Sequence, residues 1–189
     1  EYYADDMEKQ AECRHKVMQA SGFLMELVNN VLNMNKLESG EMKPENKPFD
    51  LIELLKETTS IIEMQGQEYA IHFQMQMGKH KYRHLIGSPL YLKQVLQNIG
   101  GNAVKYNRAG GAVTFASEDV AYSDGRVVVK FTCTDTGRGM SREFLVHVFE
   151  PFSQENTDAR TTFTGTGLGL AITKQMVELM EGTISLKSE

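Results

Sequence analysis

The sequence predicts a mixed α+β domain carried behind one long helix. Three observations lead there. An uninterrupted helical pattern runs from about Asp5 to Met42. Short segments with strand character are then interspersed with amphipathic helices as far as Leu186. Finally, a strand pattern ends on Asp135, and a polar loop followed by Gly165-Thr166-Gly167-Leu168-Gly169 opens the last helix.

Composition narrows the classes. The chain of 189 residues suffices for one ordinary domain plus a smaller appendage. Its hydrophobic content of 41% argues against disorder, and a formal charge of −5 gives no reason to expect nucleic acid as a partner. No apolar run approaches the roughly 20 residues of a membrane span, and no signal-peptide pattern opens the chain. Cys13 and Cys133 match no metal or disulfide spacing and read as free thiols in a reducing compartment. The chain opens in charged, helix-like sequence without an initiator Met, so a piece of a longer protein is expected.

In the first helix, Met18, Phe23, Leu24, Leu27, Val28, Val31, Leu32, Met34 and Leu37 form an apolar stripe, with Gly40 and Pro44 as stop signals. The stripe suits packing on a core or a helical seam with another chain. His15, between Arg14 and Lys16, reads as a solvent-facing helical histidine. Lys47 to Asp50 reads as a short strand or linker, with Asp50 capping a helix from Leu51 to about Gln65. Ile71, Phe73 and Met75 alternate with polar residues as in a half-buried strand, and Tyr82 to Ile86 is a second short strand. Ser88 is placed to cap a helix that has Pro89 in its first turn.

That helix, Pro89 to about Tyr106, carries the first chemical signal. Leu92, Val95, Leu96 and Ile99 supply an apolar face, while Asn98, Asn102 and Lys105 project from one side. Asparagine competes with helical backbone bonding, and Gly100 and Gly101 each cost about 1 kcal/mol relative to Ala in a helix interior. Amide oxygens that meet Mg²⁺ and a lysine that meets a phosphate would explain such a composition; so would a structural polar network.

Val113 to Phe115 and Arg126 to Thr132 read as strands joined at Ser123-Asp124-Gly125, with Val127 to Phe131 as a buried central strand. Asp135 follows at the strand end, where α/β sheets bind ligands, and its carboxylate can accept from an exocyclic amine. Gly137 and Gly139 would let the backbone approach a flat ring. Ser141 to Val148 is a short helix, Phe149 and Phe152 read as core plugs, and Ser153 to Thr164 has the composition of a mobile loop. The glycine triplet then exposes N–H groups to an anion at a helix start. Its spacing, G-x-G-x-G after a loop, is not the G-x-G-x-x-G after a strand that dinucleotide binding needs. Thr183 to Leu186 is a last strand.

Asn98 to Asn107, Asp135-Thr136-Gly137-Arg138-Gly139-Met140, Phe149-Glu150-Pro151-Phe152 and Gly165 to Ile172 resemble, in order and spacing, the N box, first glycine box, F box and second glycine box of sensor histidine kinases. Ser21-Gly22, Asn29 to Leu37 and Glu38 to Met42 resemble the second helix of that family's dimerisation and phosphotransfer hairpin. The resemblance implies two parts: a partial hairpin over residues 1–44, and an ATP-binding catalytic domain over 45–189. It implies an α/β sandwich, a mixed sheet with helices on one face. Asp135 would bond the adenine amine, with Gly137, Gly139 and Met140 shaping that end. Asn102 would hold Mg²⁺, Asn98 would support the same polar cluster, Lys105 would reach a phosphate and Tyr106 would lie against the nucleotide. Gly165, Thr166, Gly167, Leu168 and Gly169 would line the triphosphate, and Arg160 is the candidate lid cation. Implied partners are an acceptor-histidine helix, a response-regulator receiver domain and a second copy in a homodimer; nucleic acid is not among them, and the implied location is the cytoplasm, either free or as the cytoplasmic part of a membrane-bound sensor.

Two departures from the pattern qualify this. No acceptor-histidine run is present and His15 falls on the second hairpin helix, so the acceptor and its acidic neighbour are expected outside this sequence. The glycine-rich loop and final strand that usually follow the Thr183 strand are also missing. An ATP-hydrolysing relative and a non-catalytic nucleotide-sensing module are the alternatives. Asn98 speaks against hydrolysis, because hydrolysing relatives carry a glutamate base at that helix position.

Overall fold

The computed structural model describes residues 6–155 and 165–188. Helix α1, Met7–Glu38, starts on the Asp6 side chain, which accepts from Lys9 N–H, and stops at Gly40 in the left-handed conformation (φ +68°). Strand β1 is Lys47–Asp50, and Asp50 caps helix α2, Leu51–Gln67, by accepting from Glu53 N–H at 3.0 Å. Strands β2 (His72–Met77) and β3 (His84–Gly87) lead to helix α3, Pro89–Lys105. Strands β4 (Ala112–Ser123) and β5 (Arg126–Asp135) form a hairpin, helix α4 is a single turn at Arg142–Leu145, and helix α5 is Gly169–Leu179.

The sheet is mixed, as the family resemblance implied. β2 runs parallel to β4 from His72↔Ala112 to Met77↔Ser117, and β4 pairs antiparallel with β5; β1 and β3 make a separate antiparallel pair. The hairpin turns on Asp124 and Gly125, both at positive φ, as a two-residue turn that follows strand twist requires. Helices α2 and α3 pack on one face of this sheet. Leu51, Leu55, Ile62, Leu96, Val104, Val113 and Phe115 fill the space between them. A second cluster joins α3 to α5 through Tyr91, Val95, Leu168, Ile172 and Met176, and Met34 and Leu37 of α1 lie against it. Much of the rest of the α1 stripe stays open: Met18, Leu24 and Leu32 are more than half exposed, while Phe23 and Leu27 are half-buried.

Four expectations are corrected. The valine run of β5 is not a central strand: β4 lies between β2 and β5, and Val128 is 55% exposed. An apolar run alone cannot distinguish a strand covered on both faces from one arm of a hairpin. Ser88 stands at the start of α3 but caps nothing; its hydroxyl accepts instead from Glu45 N–H at 3.3 Å, tying the segment after α1 to the domain. Phe152 is exposed rather than a core plug, Phe149 is half-buried, and Val148 takes the buried position beside them. Thr183–Leu186 keeps the alternating burial of a strand without forming a ladder, since alternation supplies the side-chain pattern but not a paired neighbour.

Candidate functional site

The C-terminal half of α3 and the loop after β5 meet in a cleft of about 390 Å³, lined by Lys105, Tyr106, Asn107, Arg108, Gly137 and Arg138. Close backbone approach creates it. A Cβ at Gly137 would stand 2.7 Å from both Tyr106 O and Asp135 Oδ1, so only glycine lets this loop reach the end of α3. Asn107 fixes the same junction: its Nδ2 donates to Ala112 O at 3.0 Å and its Oδ1 accepts from Arg108 N–H and the Thr136 hydroxyl.

The cleft is cationic. Lys105 Nζ lies 5.5 Å and the Arg138 guanidinium 4.9 Å from the Tyr106 ring centre, within cation–π range. Among the described residues, none of Lys105, Arg108 and Arg138 forms an ion pair with a carboxylate. Three such cations gathered in a chain of net charge −5 form a local field suited to a polyanion. Asp135, at the end of β5, is held by Gly137 N–H on Oδ1 at 2.8 Å, while Oδ2 has no hydrogen-bond partner among the described residues. Two residues before it, burial and then the Asp135 charge push the Cys133 thiol up to about 12.

The glycine triplet closes the other side. A Cβ at Gly165 would lie 3.0 Å from Tyr106 Oη and 3.5 Å from Lys105 Nζ, so this segment borders the cleft. Gly167 has φ +71° and abuts the Phe152 backbone, which excludes any side chain there. No side chain among the described residues caps α5, which leaves its first amides to an anion. Gln154 Nε2 donates to Gly165 O at 2.6 Å, and Ser141 N–H donates to Glu155 Oε1 at the same distance.

The predicted residues thus fall into groups. Lys105, Tyr106, Asp135, Gly137 and Gly165 come together. The Asn102 amide makes no hydrogen bond to described residues and sits one turn from Lys105. Asn98 is engaged otherwise: its Nδ2 donates to Thr173 Oγ1 at 2.7 Å and its Oδ1 faces Gly169, locking α5 against α3. Gly139 adopts positive φ, and Met140 N–H donates to Ser188 Oγ at 2.8 Å. Thr166 and Leu168 are buried at the start of α5. Arg160 lies outside the described residues. Sequence reasoning passed over Arg138, Arg108, Asn107 and Thr173. Arg138 sits inside the Asp135–Met140 motif and was within reach, but nothing in the sequence pairs Asn98 with Thr173.

Residues 87–189 match the family described as histidine kinase-, DNA gyrase B- and HSP90-like ATPase. The sensor histidine kinase GacS of Pseudomonas protegens is 32% identical over 87% of this chain, which spans only 18% of GacS. Full-length ShkA, solved in complex with AMPPNP, superposes with a TM-score of 0.73 at 26% identity, over 92% of this chain and 34% of ShkA. The histidine kinase ThkA, solved with the response regulator protein TrrA, superposes with a TM-score of 0.68 at 23% identity, covering 95% of this chain and 47% of that one, a likeness of fold. With the mixed sheet, the open cationic cleft and the glycine-opened helix on one domain, the chain belongs to the histidine kinase-, DNA gyrase B- and HSP90-like ATPase family and contains the ATP-binding catalytic domain of a sensor histidine kinase.

Proposed function

We propose that the cleft holds ATP and presents its γ-phosphoryl group to a histidine on a helix outside this sequence. The observation that carries this reading is the set of cations, Lys105, Arg108 and Arg138, that line the cleft with Tyr106 and have no carboxylate partners among the described residues. Lys105 and the amides opening α5 receive phosphates, Tyr106 flanks the nucleotide, and the open Oδ2 of Asp135 accepts from the adenine amine. Gly139 and Met140 shape the adenine end, while Gly167, Leu168 and Gly169 line the phosphates. Arg160 is the lid cation of this reading. The domain contributes positioning and charge neutralisation; the bond-forming nucleophile comes from elsewhere.

Among the described residues no cluster of carboxylates, histidines or cysteines could hold a metal alone. The Asn102 amide, without a hydrogen-bond partner among the described residues, still fits Mg²⁺, a hard cation that keeps water and phosphate ligands and takes few from protein. Asn102 Oδ1 would hold it, and the ion would neutralise phosphate charge.

Hydrolysis is the weaker reading. The base position holds Asn98, whose amide nitrogen is already committed to Thr173. The full-length partners proposed are the acceptor-histidine helix, a receiver domain and a second copy. No helix among the described residues is long and apolar enough to cross a membrane; use of ATP points to the cytoplasmic side.

Titration with a fluorescent ATP analogue, with and without Mg²⁺, tests the reading. Wild type should bind, Lys105→Ala should lose about tenfold or more in affinity, as expected for a charge-assisted contact, and Asp135→Asn should bind weakly. Absence of wild-type binding refutes it. With labelled ATP the chain alone should stay unlabelled.

A further inference from the structure

One contact reaches from α1 into the glycine turn. Asn30 Nδ2 donates to Thr166 Oγ1 at 2.9 Å, joining positions 136 residues apart. Thr166 is 8% exposed and lies between Gly165 and Gly167; its Oγ1 also accepts from Leu168 N–H at 3.3 Å. A hydroxyl has two acceptor positions and one proton. Both acceptor positions are therefore filled, and the proton has no acceptor among the described residues. Met34 and Leu37, one and two turns further along α1, press on the Leu168–Ile172–Met176 cluster of the same turn and helix.

We propose that Asn30 is a positioning residue for the nucleotide. By filling the second acceptor position of Thr166 it commits the hydroxyl proton to an anionic ligand oxygen, so that docking of α1 and occupancy of the site reinforce each other. The inference rests on the nucleotide reading above. Binding linkage makes the effect reciprocal: whatever α1 docking adds to nucleotide affinity, nucleotide adds to α1 docking. A displacement of α1 therefore changes affinity without touching the cleft.

The test is a double-mutant cycle on Asn30→Ala and Thr166→Val, read by titration with a fluorescent ATP analogue and by hydrogen exchange across residues 28–38. Asn30→Ala should lose about three- to tenfold in affinity, the scale of one neutral hydrogen bond, and Thr166→Val about tenfold or more, the scale of a bond to an anionic oxygen. The double variant should bind no more weakly than Thr166→Val alone. Thr166→Ser should restore the dependence on Asn30 that Thr166→Val removes. Nucleotide should slow exchange over residues 28–38 in wild type and not in Asn30→Ala. Wild-type affinity in Asn30→Ala, or purely additive losses in the double variant, overturns the proposal while leaving the nucleotide site intact. Absence of binding by wild type overturns both.

Discussion

Alanine at two adjacent glycines of α3 should act in opposite directions. Gly100 faces the core: a Cβ there would stand 2.4 Å from Ile62 Cδ1 and 3.0 Å from both Ile62 Cγ1 and Phe115 Cζ. Ile62 and Phe115 are 1% and 2% exposed, so neither side chain can move into solvent. Overpacking of this kind costs about 1–3 kcal/mol. A Cβ at Gly101 meets nothing within 4 Å. Both substitutions share the gain in helix propensity, about 1 kcal/mol, so the difference between the variants isolates the packing cost. At roughly 2–4 °C per kcal/mol for a chain of this size, Gly101→Ala should melt several degrees above Gly100→Ala, and above wild type. Far-UV circular dichroism melts and urea midpoints, taken without nucleotide, measure this. Equal melting temperatures, or the reverse order, would refute the close approach of α2 and α3 at Gly100.

Two further outcomes concern groups away from the cleft. His80 bridges Asp119 Oδ1 (2.7 Å) and Ser117 Oγ (3.0 Å), and the second Asp119 oxygen accepts from Lys81 N–H and the Tyr122 hydroxyl. Burial pushes the Asp119 carboxyl up, but hydrogen bonds from Tyr122, His80 and Lys81 N–H outweigh it, and the net shift is down. A lowered folded-state value contributes stability that is fully present above the ordinary carboxylate range and is lost as pH falls from there through the lowered folded-state value. Asp119→Asn should therefore cost about 1–3 kcal/mol near neutrality and flatten the loss of stability below about pH 4, read from urea midpoints across pH. For the thiols, Cys13 is exposed while Cys133 is pushed up to about 12, so a disulfide reagent at mildly alkaline pH should label one thiol natively and both after denaturation.

Much of this architecture is legible in the residues because local signals carry it. Asp50 announces α2, Gly40 ends α1, and Asp124-Gly125 turns the hairpin, each through a backbone requirement confined to a few neighbours. What stays hidden depends on distant partners. That β4 rather than β5 is central follows from the parallel pairing of β2 with β4, which leaves no local trace. Ser88 has the right identity and position for a cap, yet Glu45 N–H claims its hydroxyl from 43 residues away. In the site, the motif residues were readable as types, whereas the bonds of Asn98 to Thr173 and of Asn30 to Thr166 join positions the sequence gives no reason to pair.

Helix α3 shows why a composition that weakens a helix can be retained. At 3.6 residues per turn, Asn98, Asn102 and Lys105 fall within roughly 60° of one another, while Gly100 and Val104 fall on the opposite side. The second group is spent on the fold: Val104 is buried, and Gly100 admits Ile62 and Phe115 to the helix surface. On the first face, among the described residues, only Asn98 is used internally, to seat α5 through Thr173. Asn102 and Lys105, a turn further on, have neither carboxylate nor amide partners among the described residues. Gly101, angularly next to Lys105, likewise meets no described residue within 4 Å of where a Cβ would stand. A structural polar network would have closed these half-buried groups on one another, since amides and cations withdrawn from water without partners are costly. Their remaining open along one side of the helix, at the edge of a cationic cleft, is what the proposed nucleotide site requires of this face.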